Sequence, residues 1–116
     1  MSMVIEYGGV YWVSFAPSVG HEYQGKRPAV VIQTNHSLAK ANVATVMPLT
    51  SQIGKPHSDD ILVKADKTNG LYGDSLVKVH HIESFDQARF IKRIGTMEMA
   101  VMKKIQTYLK GHLGLS

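Results

Sequence analysis

The sequence has no cysteine. That removes disulfides, thiolate metal sites and a cysteine nucleophile together. Long apolar runs are missing as well: no stretch approaches the roughly 20 residues that a membrane-spanning helix needs. The opening segment, Met1 to Gly9, lacks a basic stretch leading into an apolar one. No secretory signal is therefore visible, and a cytoplasmic location is expected. Acidic side chains are the scarcer charge, 9 Asp and Glu against 13 Lys and Arg, for a net charge of +4. Such a balance suits polyanionic partners, RNA, DNA or an acidic protein segment, as well as it suits simple solubility. Repeats, low-complexity stretches and linkers are also absent.

What is present reads as one folded domain over residues 1–116. The hydrophobic content of 44% and charged content of 19% are those of a globular chain long enough to bury one core. Basic residues bunch at Lys26 and Arg27, at Arg89, Lys92 and Arg93, and at Lys103, Lys104 and Lys110.

Val10 to Phe15 is β-branched and aromatic with almost no alternation, the pattern of a strand covered on both faces. Ala16 to Arg27 is punctuated by Pro17, Gly20 and Gly25 and reads as a polar loop. Ala29 to Gln33 is the next strand, with Pro28 at its start. Thr34 to Asn42 is polar and has room for one helical turn. Val43 to Leu49 predicts a third strand running into Thr50 and Ser51, and Gln52 to Asp59 a loop. Ile61 to Lys64 and Ser75 to Val79 are short strands separated by an Asn69-Gly70 turn, the second ending at His80-His81. Phe90 to Ile94 alternates apolar and basic residues, as a half-exposed strand does.

The clearest helix comes last. Met97, Val101, Ile105, Tyr108 and Leu109 recur at three- and four-residue steps. Thr96 is placed to cap it, Glu98 to favour its positive end, and Gly111 to close it. Five or six short strands and one C-terminal helix predict a compact, strongly bent β-barrel with the helix packed against it.

Three segments carry a family resemblance. Gly9-Val-Tyr-Trp-Val-Ser-Phe-Ala-Pro17 is similar to the opening strand of the MazF/PemK-like (Kid/MazF) toxins. Gly20-His-Glu-Tyr-Gln-Gly-Lys-Arg-Pro28, running into Ala-Val-Val-Ile32, resembles that family's Gly-x-Glu-x-x-Gly-x-Arg-Pro loop. Met47-Pro-Leu-Thr-Ser51 matches its Pro-x-Thr-Ser/Thr step, and a terminal helix follows in order. The resemblance implies a mainly β fold with a C-terminal helix (α+β), a small SH3-like barrel of the CcdB/Kid/MazF type. It also implies a toxin of a type II toxin–antitoxin system that cleaves single-stranded RNA without metal. Such proteins act as homodimers and are held by a cognate antitoxin. No cofactor is implied.

Metal-free RNA cleavage needs a cation for the phosphorane, a base for the 2′-OH and an acid for the leaving oxygen. The resemblance places Arg27 as the cation, whose planar fork pairs two phosphate oxygens. Without it, Arg27 reads as a loop pin bonding backbone carbonyls. Thr50 is the second catalytic candidate and Ser51 an RNA contact, although a Thr-Ser pair after Pro48 is otherwise a turn. His21 and Glu22 are the candidates for proton transfer; a histidine titrates near neutrality, a glutamate only after perturbation. Gln24, Lys26, Lys78, His80 and His81 complete the expected RNA-binding set.

The segment from His80 to Asp86 departs from the family pattern: two histidines replace an acidic residue and Gln, and Glu83-Ser84-Phe85-Asp86 replaces Arg-Thr-Ile-Asp. A histidine pair invites a metal reading. On a strand, however, adjacent side chains point to opposite faces, and no carboxylate cluster is evident, so no metal site is expected. Tyr11 and Trp12 read as core, and His36, His57 and His112 are assigned no role. Two other functions fit the fold: a CcdB-like gyrase poison without nuclease activity, and a non-catalytic nucleic-acid- or peptide-binding barrel. The first lacks a use for Arg27 and Thr50.

Overall fold

The computed structural model describes residues 3–15 and 25–115. Its strands are β1 (Gly9–Phe15), β2 (Gly25–Val31), β3 (Val43–Thr50), β4 (Ile61–Val63), β5 (Ser75–Val77), β6 (Glu83–Asp86) and β7 (Phe90–Thr96). Two helices accompany them, α1 (Asn35–Leu38) and α2 (Met99–His112). The strands form one sheet in the order β4-β5-β3-β2-β1-β7, with β6 also paired to β3. Every pairing is antiparallel.

Both faces of this bent sheet are covered, which explains why its central strands show little alternation. On one face Val10, Val30, Met47 and Leu49 pack with Val101, Met102 and Ile105 of α2. On the other, Tyr11, Val13, Ala29, Val31 and Val46 pack with Leu38 of α1 and Phe90. Neighbouring residues of one strand therefore feed two different clusters.

Several boundaries move for identifiable reasons. β2 begins at Gly25, so Lys26 and Arg27 lie on a strand and not in the expected loop. Pro28 sits inside β2, where it costs little because pairing with β3 begins only at Ala29. The expected strand through Val79 stops at Val77, and His80 lies in a turn closed by the His81 N–H donating to the Lys78 carbonyl at 3.0 Å. β6 has no counterpart in the strands read from sequence, because Glu83-Ser84-Phe85-Asp86 is short and polar.

The ends of α2 also differ. Thr96 finishes β7, and its hydroxyl accepts from Arg93 at 2.9 Å, so it does not cap the helix. Glu98 occupies the N-cap position instead. Gly111 lies within the helix, and Gly114, at φ +71°, takes the left-handed position beyond it. The Leu115 N–H donates to the Lys110 carbonyl at 2.7 Å and the Gly114 N–H to Gly111 at 3.3 Å, a Schellman closure. The predicted Asn69-Gly70 turn is present. Gly70 has φ +69°, and a Cβ there would lie 1.9 Å from the Ile94 carbonyl oxygen, so only glycine fits against β7.

Candidate active site

Arg27 and Thr50 are placed by the way β2 leaves β3. The two strands pair at Ala29–Pro48, Val30–Met47 and Val31–Val46. Continuing that register past its last pair sets Arg27 across from Thr50 and Lys26 across from Ser51. With no ladder between them there, the strand ends border an open groove. Its volume is ≈ 240 Å³, and Lys26, Arg27, Pro28, Ser51, Trp12 and Tyr72 are among its lining residues.

Trp12 is the residue that sequence reasoning misplaced. Tyr11 is fully buried, as expected, but Trp12 is only half-buried and stands in the groove. Strand alternation separates the two: Tyr11 faces a core cluster and Trp12 the opposite side. On β1, Trp12 has Pro28 of β2 as partner on one side and Lys92 of β7 on the other. A continuation of the depression is lined by Trp12, Tyr72, Lys92 and Arg93. Two basic bunches far apart in sequence thus flank a single aromatic side chain. Arg93 also donates to Glu6 Oε2 at 3.0 Å.

Thr50 is nearly buried, and its Oγ1 accepts from the Gln52 N–H at 3.2 Å. This is the turn geometry its sequence suggested, yet it leaves the hydroxyl proton free to donate. Thr50, Gln52, Lys55 and Lys78 line a second depression of ≈ 240 Å³. Lys78 is ion-paired with Asp60, whose side chain is fully buried. Ser51 is exposed. His21, Glu22 and Gln24 lie outside the described residues.

His80 and His81 occupy a turn, so the alternation argument does not govern them. Nor is His80 without a carboxylate: its Nε2 lies 3.2 Å from Asp59 Oδ2, and its ring packs against His57 with centroids 4.1 Å apart. One carboxylate, not a cluster, stands beside His80. The carboxylate arrives from the loop after β3, 21 residues earlier, and a local reading has no signal for it.

The model of the PemK-like, MazF-like toxins of type II toxin–antitoxin systems matches residues 6–113. The chain belongs to this family. Among relatives of this MazF-like chain, endoribonuclease MazF9 of Mycobacterium tuberculosis is 33% identical over 113 residues, covering 93% of this chain and 95% of that protein. Endoribonuclease EndoA of Bacillus subtilis is 29% identical, with 97% of each chain covered. The crystal structure of MazF from Deinococcus radiodurans superposes with a TM-score of 0.83 at 25% identity, over 97% of this chain and 99% of that one. The expected fold, a small barrel-like β domain of the MazF type with a C-terminal helix, is borne out. Arg27 and Ser51 line the groove with Trp12 and Tyr72, whereas Thr50 lines the neighbouring depression with Lys78.

Proposed function

We propose that this MazF-like toxin is a metal-independent endoribonuclease that cleaves single-stranded RNA at short sequences, works as a cytoplasmic homodimer and is silenced by a cognate antitoxin. The observation that carries the reading is the juxtaposition of Lys26 and Arg27 with Ser51 in a groove beside Trp12. An RNA strand needs cations along its backbone and a flat surface for its bases, and the groove offers both. No helix among the described residues is long and apolar enough to cross a membrane.

In this mechanism the substrate's own 2′-OH attacks the adjacent phosphorus, the P–O5′ bond breaks, and the products carry 2′,3′-cyclic phosphate and 5′-OH ends. Arg27 holds the non-bridging oxygens as negative charge builds on the phosphorane. Thr50 donates its remaining hydroxyl proton to one of those oxygens. Proton transfer is assigned to His21 and Glu22, and RNA contacts to Gln24, Lys26, Ser51, Lys78, His80 and His81, with Trp12 added from the groove. A basic groove also suits an antitoxin tail of acidic character.

The decisive experiment is incubation of antitoxin-free protein with a long single-stranded RNA in excess EDTA, followed by analysis of fragment ends. Discrete cuts with cyclic-phosphate and 5′-OH ends, abolished by Arg27→Ala with fold and dimer intact, are expected. Wild-type cutting by Arg27→Ala overturns the site assignment. Absence of cleavage by folded wild-type protein overturns the ribonuclease reading.

A further inference from the structure

Outside the groove, one cluster has the composition of a metal site. His57, Asp59 and His80 are all exposed, and one ligand atom from each lies within 4.8 Å of the others. His80 is held on both of its ring nitrogens: Nε2 faces Asp59 Oδ2 at 3.2 Å, and Nδ1 lies 3.0 Å from the Tyr108 hydroxyl. That hydroxyl lies 3.2 Å from His112 Nδ1. The chain of contacts is satisfied when His80 Nδ1–H donates to Tyr108 and the Tyr108 O–H donates to His112. In that arrangement His80 Nε2 presents a lone pair to the Asp59 carboxylate. In the opposite sense His112 Nδ1–H donates to Tyr108, the Tyr108 O–H donates to His80 Nδ1 and the His80 Nε2–H donates to Asp59 Oδ2; in the first, a cation takes the place of that proton between the two atoms.

The spacing also suits a metal. Tetrahedral coordination with bonds of about 2.0–2.1 Å puts neighbouring ligand atoms about 3.3 Å apart. His80 and Asp59 already stand at that separation, and rotation of the exposed His57 side chain brings in the third ligand. The Tyr108 contact is the outer hydrogen bond that orients a metal-bound imidazole. We propose that His57, Asp59 and His80 form a site for a divalent transition-metal ion of the zinc class, with water completing its coordination. Two imidazoles and one carboxylate suit such an ion and not Mg²⁺ or Ca²⁺, which select oxygen ligands.

The supporting framework is built in. Asp60 accepts from the His57 N–H at 2.8 Å, and the Asp60 N–H donates to the His57 carbonyl at 3.0 Å, which fixes the backbone carrying His57 and Asp59. The Lys78–Asp60 ion pair then ties that loop to the turn that carries His80. A bound ion therefore staples the segment beyond Thr50 to the turn after β5, at the edge of the depression shared by Thr50 and Lys78. The site is separate from the chemistry assigned to Arg27 but shares His80 with the RNA contacts proposed above, so its test reads metal binding and not RNA cleavage.

The test is calorimetric titration of Zn²⁺ into untagged, metal-free full-length protein, with Co²⁺ absorption spectra reporting coordination. One ion per chain is expected, with affinity reduced at least about tenfold in His80→Ala and in Asp59→Asn. His36→Ala, an exposed histidine on α1, is expected to bind as the wild type does, and Mg²⁺ to give no competing heat. Circular dichroism checks that each variant is folded, and His57→Ala provides a third ligand deletion should another fail to fold. No Zn²⁺ binding by wild-type protein overturns the proposal and leaves a directly hydrogen-bonded His80–Asp59 pair. Undiminished binding in His80→Ala and Asp59→Asn overturns it equally.

Discussion

Lys78 forms an ion pair with the buried carboxylate of Asp60, joining the loop after β3 to the turn after β5. The Asp60 side chain has no exposed surface, whereas Lys78 retains 13% of its own. Asp60 Oδ1 is buried without a hydrogen-bond partner, so the carboxylate relies on Oδ2, which takes both Lys78 and the His57 N–H. Removing one member of such a pair strands the other in a poorly solvated place.

Asp60→Ala is accordingly expected to destabilise the fold by on the order of 3 kcal/mol. Urea unfolding followed by circular dichroism measures it. A loss below about 0.5 kcal/mol would mean that the pair behaves as an exposed one and does not organise the loop.

Trp12 is the sole tryptophan of the chain and stands in the groove, so selectively excited tryptophan emission reports on that groove. Binding of a non-cleavable single-stranded RNA is expected to quench or shift the emission. Trp12→Ala is expected to weaken RNA binding by about 1–3 kcal/mol if a base stacks there. Unchanged affinity together with unchanged emission would remove Trp12 from the RNA surface.

Tyr11 supplies a pH signature. Burial raises its phenol above the usual 10.0, against the lowering effects of the Glu6 backbone hydrogen bond and of Arg93. Its hydroxyl donates to the Val4 carbonyl at 3.0 Å and accepts from the Glu6 N–H at 3.0 Å. The folded chain thus holds this proton more tightly than the unfolded chain does. The resulting stability is full below the unfolded pKa near 10 and is lost as pH rises through the higher folded value. Tyr11→Phe forfeits the two hydrogen bonds, about 1 kcal/mol each at neutral pH, but has no proton to lose. The stability gap between wild type and variant is expected to narrow from about pH 10 upward. A gap that stays constant across that range would show that ionisation of Tyr11 is not coupled to unfolding.

Much of the architecture is legible along the chain. The doubly buried β1, the apolar stretch of β2, the strand ending at Thr50, the Asn69-Gly70 turn and the face of α2 all arise from local patterns of residue type. Those patterns respond to burial and backbone conformation, which act over a few neighbours. The ends of α2 were less legible, because Thr96 and Gly111 have the right chemistry for caps but β7 and the last helical turn claim them first.

The site divides along the same line. Arg27, Thr50 and Ser51 are candidates that short motifs carry, and the pairing of β2 with β3 brings those motifs to neighbouring strand ends. Trp12 is not among them, because a strand covered on both faces hides which of two adjacent aromatics meets the core. The gathering of Lys26 and Arg27 with Lys92 and Arg93 around Trp12 depends on β1 pairing with β2 on one side, at Trp12–Pro28, and with the sequence-distant β7 on the other, at Trp12–Lys92. The meeting of His80 with His57 and Asp59 depends on a loop and a turn joined by a buried ion pair. Composition and local pattern decide which segments become strands or helices. Which side chains share a groove or a polar cluster is a property of long-range packing, and no local stretch of the sequence encodes it.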